Sequence, residues 1–381
     1  MKKHVIALAL GAACMAAAPA FAEIKVGVVM SATGPASFLG EPQRQTVEML
    51  AKQINEAGGV NGKKLRLFVY DDASDASASR NYAVRLIEND EVDAIVGGSG
   101  TGNSMAMIPV IEDAEIPYVS FSGGVEIIDP VKHWVFKPPH TDLMACEKIF
   151  VDMKELGLSK AAMIAGQGGF AKSMASRCKQ VAPSYGVEVV MEESYGPRDS
   201  DMTPQLNRIR GTQGVDAVIN ADIGQGPAIV TRNFRQLGMN QVLYMSHGAA
   251  TQGYLEAVGE AGEGIRIPAP LLLAVDSMKD DDPYKPMLTK FRDDFVAATG
   301  KQPDAFAGYA YDGLLLLVDA IKRAGSTDPE KVRDALEATD GFVGTVGKIK
   351  MSPTDHLGIT LESFQMMTIK DGKWALAESA K

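Results

Sequence analysis

The chain has 381 residues, of which 46% are hydrophobic and 23% are charged, and its formal net charge at pH 7 is −10. This composition is typical of a globular protein, and the length is enough for two domains with separate cores. Because the balance is acidic and no run of basic residues exceeds two, the composition argues against nucleic acid or an anionic membrane as a partner.

The first 22 residues are typical of a cleavable export signal. Lys2 and Lys3 precede a short apolar run over residues 5–13, and residues 20–22 (Ala-Phe-Ala) suit a signal peptidase. The run is too short to span a bilayer, and no later stretch approaches 18 unbroken apolar residues. We therefore expect a soluble protein that is released after export. Cys14 leaves a lipid-anchored form as the less favoured alternative.

From Ile24 onward, short apolar runs alternate with segments that have helical apolar periodicity. In chain order, the first block is predicted to contain strand 24–30, helix 42–57, strand 64–71, helix 75–89, strand 93–98, helix 105–114 and strand 117–122. The second block is predicted to contain helix 142–156, strand 160–165, helix 171–185, strand 186–195, helix 202–211, strand 216–221, helix 226–238 and strand 242–246. Such alternation is typical of α/β folds with parallel sheets.

The two blocks predict two Rossmann-like lobes, each a doubly wound sheet. Segments 137–140 and 267–270 are rich in proline and are predicted to cross between the lobes, and segment 341–347 would be a third crossing. The remaining predicted elements are helices 283–299 and 304–323 and strands 347–351 and 364–370. Lobe 1 would then comprise residues 23–138 and 270–341, and lobe 2 residues 139–269 and 342–381. Three crossings should form a hinge that bends but resists twisting.

Two cysteines, Cys146 and Cys178, remain after the predicted cleavage. In an exported protein an even pair can form a disulfide. Both residues lie in predicted helices, however, and buried free cysteine is common. Since the sequence does not give their separation, the interpretation favours free thiols over a disulfide.

Several segments, in order and spacing, resemble a known family. They are IKVGVVMSATGPASFLG, INEAGGVNGKKLRLFVYDD, DAIVGGSGTGNSMAMIPVIEDAEIPYVSFSGG, FRQLGM and FAGYAYDGLLLLVDAIKRAG. The chain resembles, from about Ile24 to Trp374, the periplasmic solute-binding proteins of ABC importers of the branched-chain amino-acid (leucine/isoleucine/valine-binding) type. This resemblance implies the type I periplasmic-binding-protein fold with a three-crossover hinge. It also implies a monomer that takes a small ligand, needs no cofactor and delivers to an ABC permease in the inner membrane.

A glycine-rich turn between a predicted strand and helix contains the first candidate ligand residues. Ser99, Gly100 and Thr101 could offer backbone N–H groups and hydroxyls to an anion at a helix N-terminus. Thr101 matches the family residue whose hydroxyl holds the ligand carboxylate. Ser122, followed by Gly123, matches the residue whose carbonyl meets the ligand amino group. The alternative is that these glycines only shape turns.

The sequence departs from the family pattern at two places. Gly124 stands where the family has a hydroxyl residue, and the segment 244–248 lacks the carboxylate that pairs with an α-ammonium. A buried ammonium without a counter-charge is costly. Either Asp222, at the end of a predicted strand, supplies the charge, or the ligand is a 2-keto acid or an aromatic carboxylate with His247 as a donor. His247 as a locally satisfied loop residue remains an equal alternative.

Two apolar residues complete the predicted site. Phe170 aligns with a family aromatic that covers the ligand, and Leu39 lies where relatives place a bulky side chain against it. The alternatives are ordinary core packing for Phe170 and loop packing for Leu39.

The sequence offers little support for an enzyme. It contains neither a dinucleotide fingerprint nor a phosphate-binding loop. Its histidines show no metal-ligand spacing, and no serine lies in a nucleophile elbow. Together with the family resemblance, this predicts a non-enzymatic protein that closes two lobes around a small hydrophobic carboxylate. A hydrophobic amino acid and an aromatic or 2-keto acid remain open as ligands.

Overall fold

A computed structural model describes residues 23–378, so the predicted export signal lies outside the described residues. The first sheet is entirely parallel, with strand order β2-β1-β3-β4-β5. Strand β1 is apolar apart from Lys25, because helices cover both faces of the sheet. Its elements are β1 (Ile24–Met30), α1 (Ser37–Glu56), β2 (Leu65–Asp71), α2 (Ala76–Glu88), β3 (Ala94–Gly97), α3 (Thr101–Ala114), β4 (Tyr118–Ser120) and β5 (Val135–Phe136).

The second sheet has strand order β14-β13-β10-β9-β8-β6-β7, and only the strands β13 and β14 introduce antiparallel pairing. Its elements from the second block are α4 (Asp142–Glu155), β6 (Lys160–Ala165), α5 (Gly169–Val181), β7 (Glu188–Ser194), α6 (Thr203–Gly211), β8 (Ala217–Ala221), α7 (Gln225–Gln236), β9 (Val242–Met245), α8 (Gln252–Val258) and β10 (Arg266–Pro270). The last two strands are β13 (Phe364–Lys370) and β14 (Lys373–Leu376).

The chain passes between the sheets three times: after β5, after β10, and before β13. Between the second and third passages lie α9 (Lys285–Thr299), α10 (Ala305–Ala324), α11 (Pro329–Glu337) and the hairpin of β11 (Asp340–Gly344) and β12 (Gly347–Lys350). Helix α10 packs against α1 of the first sheet. The predicted two-lobe α/β architecture is confirmed, whereas the residue boundaries of the lobes stay a prediction.

The first and third crossings are tied to each other. The Lys137 N–H donates to the His356 carbonyl oxygen at 3.0 Å, and His356 Nδ1 lies 2.8 Å from the Val135 carbonyl oxygen. The side chains of His140 and Ser363 are hydrogen-bonded at 3.0 Å. These two segments of the hinge are therefore joined along their length.

Most predicted elements agree with the structure to within a few residues, and the differences have physical causes. Helix α1 begins at Ser37 rather than at Pro42. Proline is common in the first turn of a helix, so Pro42 was a natural predicted start, but here it lies inside the helix. Segment 267–270, predicted as a crossing, belongs to β10, and segment 341–347 lies within the β11–β12 hairpin. Elements such as β5, α8 and β14 are too short for a clear periodic signal.

The prediction of free thiols was wrong. Cys146 and Cys178 form a disulfide that joins α4 to α5 in the second lobe, and the two Cα atoms are 5.0 Å apart. Both residues are fully buried. Because these helices pack side by side, positions 32 residues apart in sequence are brought together, which no helical pattern in the sequence reveals.

Within residues 23–378, no helix is both long enough and apolar enough to cross a bilayer. No group of three or more His, Cys, Asp or Glu side chains in this part of the chain could hold a metal ion.

Replacing both cysteines by alanine should lower the free energy of unfolding by about 3 to 4 kcal/mol, because the bond closes a loop of 32 residues. Urea denaturation of the two proteins measures the difference. When the urea denaturation is repeated with a reductant, the free energy of unfolding of the wild type should fall by the same amount. That of the variant should not change. Two free thiols titrated in unreduced, unfolded wild type would contradict the assignment.

Candidate functional site

A small cavity lies between the lobes, where parallel strands of both sheets have their carboxyl ends, the usual place for ligands in such folds. Both lobes contribute to its wall, and the cavity encloses about 20 Å³. Its lining residues are Leu39, Ser99, Gly100, Thr101, Gly123, Phe170, Ile223, His247, Gly248, Phe306 and Tyr309. The structure thus brings together seven of the predicted site residues: Leu39, Ser99, Gly100, Thr101, Gly123, Phe170 and His247.

Thr101 is the first residue of α3, and Gly100 before it is the extended N-cap residue. No side chain caps this helix start, so its first N–H groups remain available. The Thr101 hydroxyl is buried and has no hydrogen-bond partner in the protein. A buried hydroxyl at an uncapped helix start can donate to an anion, which the helix dipole also favours.

A second helix start faces the first from the opposite lobe. Helix α5 begins at Gly169 and also lacks a side-chain cap. A β-carbon at Gly169 would lie only 3.7 Å from the Gly102 backbone nitrogen of α3. Two N-termini, each with partial positive charge, therefore meet across the cleft. Sequence analysis missed this convergence, although the glycines before Phe170 were its available signal.

His247 is buried and forms part of the second-lobe wall. Its ring makes edge contacts with two phenylalanine rings. The centroid of the His247 ring lies 5.3 Å from that of Phe170 and 5.5 Å from that of Phe364. Burial, and secondarily the charge of Lys137, lowers the pKa of His247 to about 3. The ring is therefore neutral at pH 7, with one N–H donor and one acceptor nitrogen. Its Nδ1 atom has no hydrogen-bond partner, so the prediction of a locally satisfied loop histidine does not describe this nitrogen.

The hydroxyls of the two predicted serines are used within the first lobe. Ser99 Oγ donates to Gln43 Oε1 at 2.6 Å and accepts from the Ser31 N–H at 3.0 Å. Ser122 does not line the cavity, and its Oγ lies 3.1 Å from Ser104 Oγ. Ser99 can therefore offer mainly its backbone to a ligand.

Gly124 also lies outside the cavity lining. A β-carbon at this position would collide with Thr101 Cγ2. The hydroxyl residue that the family pattern has here would thus displace Thr101, which accounts physically for the glycine.

The structure does not bring the Asp222 side chain to the cavity. Its carboxylate lies against Gly166 and Gly226, on the side where Tyr195 also packs against Gly226. Burial raises the pKa of Asp222. The next residue, Ile223, lines the cavity instead, so no acidic side chain lies among the lining residues.

Sequence analysis assigned no role to Phe306 and Tyr309, which lie one turn apart at the start of α10. The Asp304 carboxylate caps this helix by accepting from the N–H groups of Phe306 and Ala307, both at 3.0 Å. The sequence did contain a sign of their importance, because both aromatics belong to a segment that carried the family resemblance. Their spacing predicted a helix, but it did not predict which face would meet the cleft.

Comparisons with known proteins agree with the two-lobe fold. A family model described as periplasmic binding protein matches residues 23–373. The chain is similar to the leucine-, isoleucine-, valine-, threonine-, and alanine-binding protein of Pseudomonas aeruginosa, with 26% identity over 317 residues, 83% of this chain and 82% of the relative.

Two solved structures are also similar. One is an extracellular ligand-binding receptor from Rhodopseudomonas palustris, with a TM-score of 0.86 and 28% identity, covering 93% of this chain and 100% of that chain. The other is the branched-chain amino acid transporter substrate binding protein LivJ from Streptococcus pneumoniae in complex with isoleucine. It has a TM-score of 0.81 and 21% identity, covering 93% of this chain and 99% of that chain.

The buried His247 should make stability depend on pH. Its pKa is about 3 in the folded protein and near 6.5 when unfolded, so the unfolded state binds more protons as the pH falls between these values. From about pH 7 to about pH 5, wild type should lose about 2 kcal/mol more stability than His247→Gln. Urea denaturation at both pH values measures this difference.

His133→Gln, which replaces an exposed histidine outside the cavity lining, is measured at the same two pH values as a control. Equal losses in wild type and His247→Gln would contradict the assignment.

Proposed function

The chain belongs to the periplasmic binding protein family, and from this premise we propose that it is the periplasmic substrate-binding component of an ABC importer. Its ligand is a small hydrophobic carboxylate that both lobes enclose. The protein releases this ligand unchanged to a permease of the inner membrane. The solute-binding relatives support a binding role, and the geometry of the cavity supports the class of ligand.

The observation that carries the proposal is the unpartnered Thr101 hydroxyl at the start of α3. A buried polar group without a partner is costly, and a ligand carboxylate would satisfy it together with the free N–H groups of the helix. The facing start of α5 adds to the positive potential at the same place.

The rest of the wall suits a compact apolar body. Leu39 and Ile223 are aliphatic, and Phe170, Phe306 and Tyr309 add aromatic surface. An aromatic ring or a branched aliphatic chain would gain contacts from both lobes here.

Among these ligands we favour an aromatic or 2-oxo acid, which has no ammonium. No acidic side chain lines the cavity, and the Asp222 carboxylate lies elsewhere, so an α-ammonium would be buried without a counter-charge. The free Nδ1 of the neutral His247 can instead interact with a keto or hydroxyl oxygen.

A hydrophobic amino acid is the second candidate, and the relative that binds leucine, isoleucine, valine, threonine and alanine favours it. Its ammonium would require Asp222 to turn into the cleft. Asp222→Asn should then abolish amino-acid binding, whereas it should leave the binding of a 2-oxo acid intact.

Ligand entry requires the lobes to separate. A cavity of about 20 Å³ admits about one water molecule, far less than a carboxylic acid of this size. The hinge therefore has to open before binding. A ligand that contacts both lobes then shifts the equilibrium towards the closed form.

A thermal-shift screen should identify the ligand class. Benzoate, 4-hydroxybenzoate, 4-methyl-2-oxopentanoate and leucine are tested at equal concentrations, together with the carboxamide of each, which lacks the carboxylate. A ligand at about one hundred times its dissociation constant adds about 2.7 kcal/mol of stability. We expect stabilisation by at least one ammonium-free acid and by no amide. Stabilisation by leucine alone would favour the second candidate, and conversion of a ligand into product would contradict a purely binding role.

Thr101→Val should weaken binding of the acid found in that screen by about 1 to 3 kcal/mol, because a hydrogen bond to a charged group is lost without a change in shape. Isothermal calorimetry measures the affinity. Thr231→Val is the matched control, since this buried threonine bonds Pro227 and Tyr254 in the second lobe. The control should lose stability and keep its affinity, and an unchanged affinity of Thr101→Val would refute the anchoring role.

A further inference from the structure

The His247 ring of the second lobe reaches the backbone of Gly123 in the first lobe. A β-carbon at Gly123 would lie 2.8 Å from His247 Nε2, closer than real β-carbons come to other atoms. It would also lie 3.3 Å from Cε2 of Phe170, another side chain of the second lobe. Any side chain at Gly123 would therefore meet the opposite lobe.

The conformation of Gly123 does not itself require a glycine. Its φ angle is not positive, so an alanine could adopt the same backbone without strain. Space across the cleft is what excludes the side chain. Gly124 differs, because a β-carbon there would meet Thr101 of its own lobe.

Neither side of the contact can easily retreat. The Gly123 carbonyl oxygen accepts the Asp142 N–H of α4 in the second lobe at 2.9 Å, so Gly123 cannot draw back from His247 without breaking this bond across the cleft. On the other side, the His247 ring is packed between Phe170 and Phe364. The backbone at Gly248 is also confined, since a β-carbon there would collide with Ile223. A methyl group at position 123 would thus be accommodated by holding the lobes apart.

We propose that Gly123 is a positioning residue for ligand-dependent closure: its bare backbone receives His247 and so sets how far the lobes close and how large a ligand they enclose. This inference rests on the proposed function and deepens it. The fit between the glycine and the ring acts as a stop, and the depth of that stop determines the space left beside Thr101.

Crosslinking across the cleft tests the stop without any ligand. Glu126 and Ser173 lie in opposite lobes, and their side chains are hydrogen-bonded at 2.8 Å. Cysteines at both positions, treated with a short bis-methanethiosulfonate, should crosslink at a rate that follows the population of the closed form. The native disulfide is fully buried and does not compete.

In this background, Gly123→Ala should slow crosslinking by about tenfold, within the range of coupling between residues in contact. Gly211→Ala is the matched control, because a β-carbon there has nothing within 4 Å, and its rate should not change. Adding His247→Ala to Gly123→Ala should restore most of the rate, since the added methyl group then finds space.

Equal rates in Gly123→Ala and its background would overturn the inference, as would a slow rate that His247→Ala does not restore. Failure of the cysteine pair to crosslink in the parent would also overturn it, because the closed contact would not form. If Gly123→Ala alone folds poorly, the double variant still decides, since relief of the clash should recover both folding and rate. A parent that crosslinks but that no tested acid or amino acid accelerates would instead count against the proposed function and leave the stop in place.

Discussion

The geometry of parallel strands underlies the rest of this structure. A parallel strand must be followed by a connection that returns to the other end of the sheet, and here that connection contains an α-helix everywhere except between β4 and β5. Each such helix begins at the edge where its strand ended, with its free N–H groups at that edge. The lobes place two of these edges opposite each other, so α3 and α5 direct their N-termini into one gap. The same topology thus creates the cleft and places the positive ends of two helix dipoles at it.

This positive partial charge is opposite in sign to the net charge of the chain, which is −10. It comes from backbone dipoles, and the side-chain donors beside it are neutral. His247 stays uncharged because burial lowers its pKa to about 3. Lys137 is the nearby buried cation, and burial lowers its pKa to about 7, while its ammonium donates to the carbonyl oxygens of Pro139 and His140. The charge of Lys137 is thereby held by backbone dipoles, and this residue does not line the cavity.

The sequence was sufficient to predict the elements whose apolar period is long and uninterrupted. Strands β1 and β6 have the predicted bounds, and Thr101 and His247 lie in the cleft as expected. Prediction failed where the outcome depends on direction or on distant contacts. Side chains alternate between the two sides of an extended chain, so neighbouring residues point in opposite directions. Ile223 therefore lines the cavity where the sequence predicted Asp222. The disulfide depends on how two helices are placed side by side, which their own patterns do not contain.

Hydrogen bonds join the first and third crossings, so these two act as one connection between the lobes and the second crossing is the other. The line through two attachments is an axis about which one lobe can rotate relative to the other. Each opening and closing then follows the same path, and the cleft walls return to the same relative position. Under that condition a few polar groups are enough to discriminate among solutes. The walls have only one closed arrangement, so they cannot rearrange to fit a solute of the wrong shape.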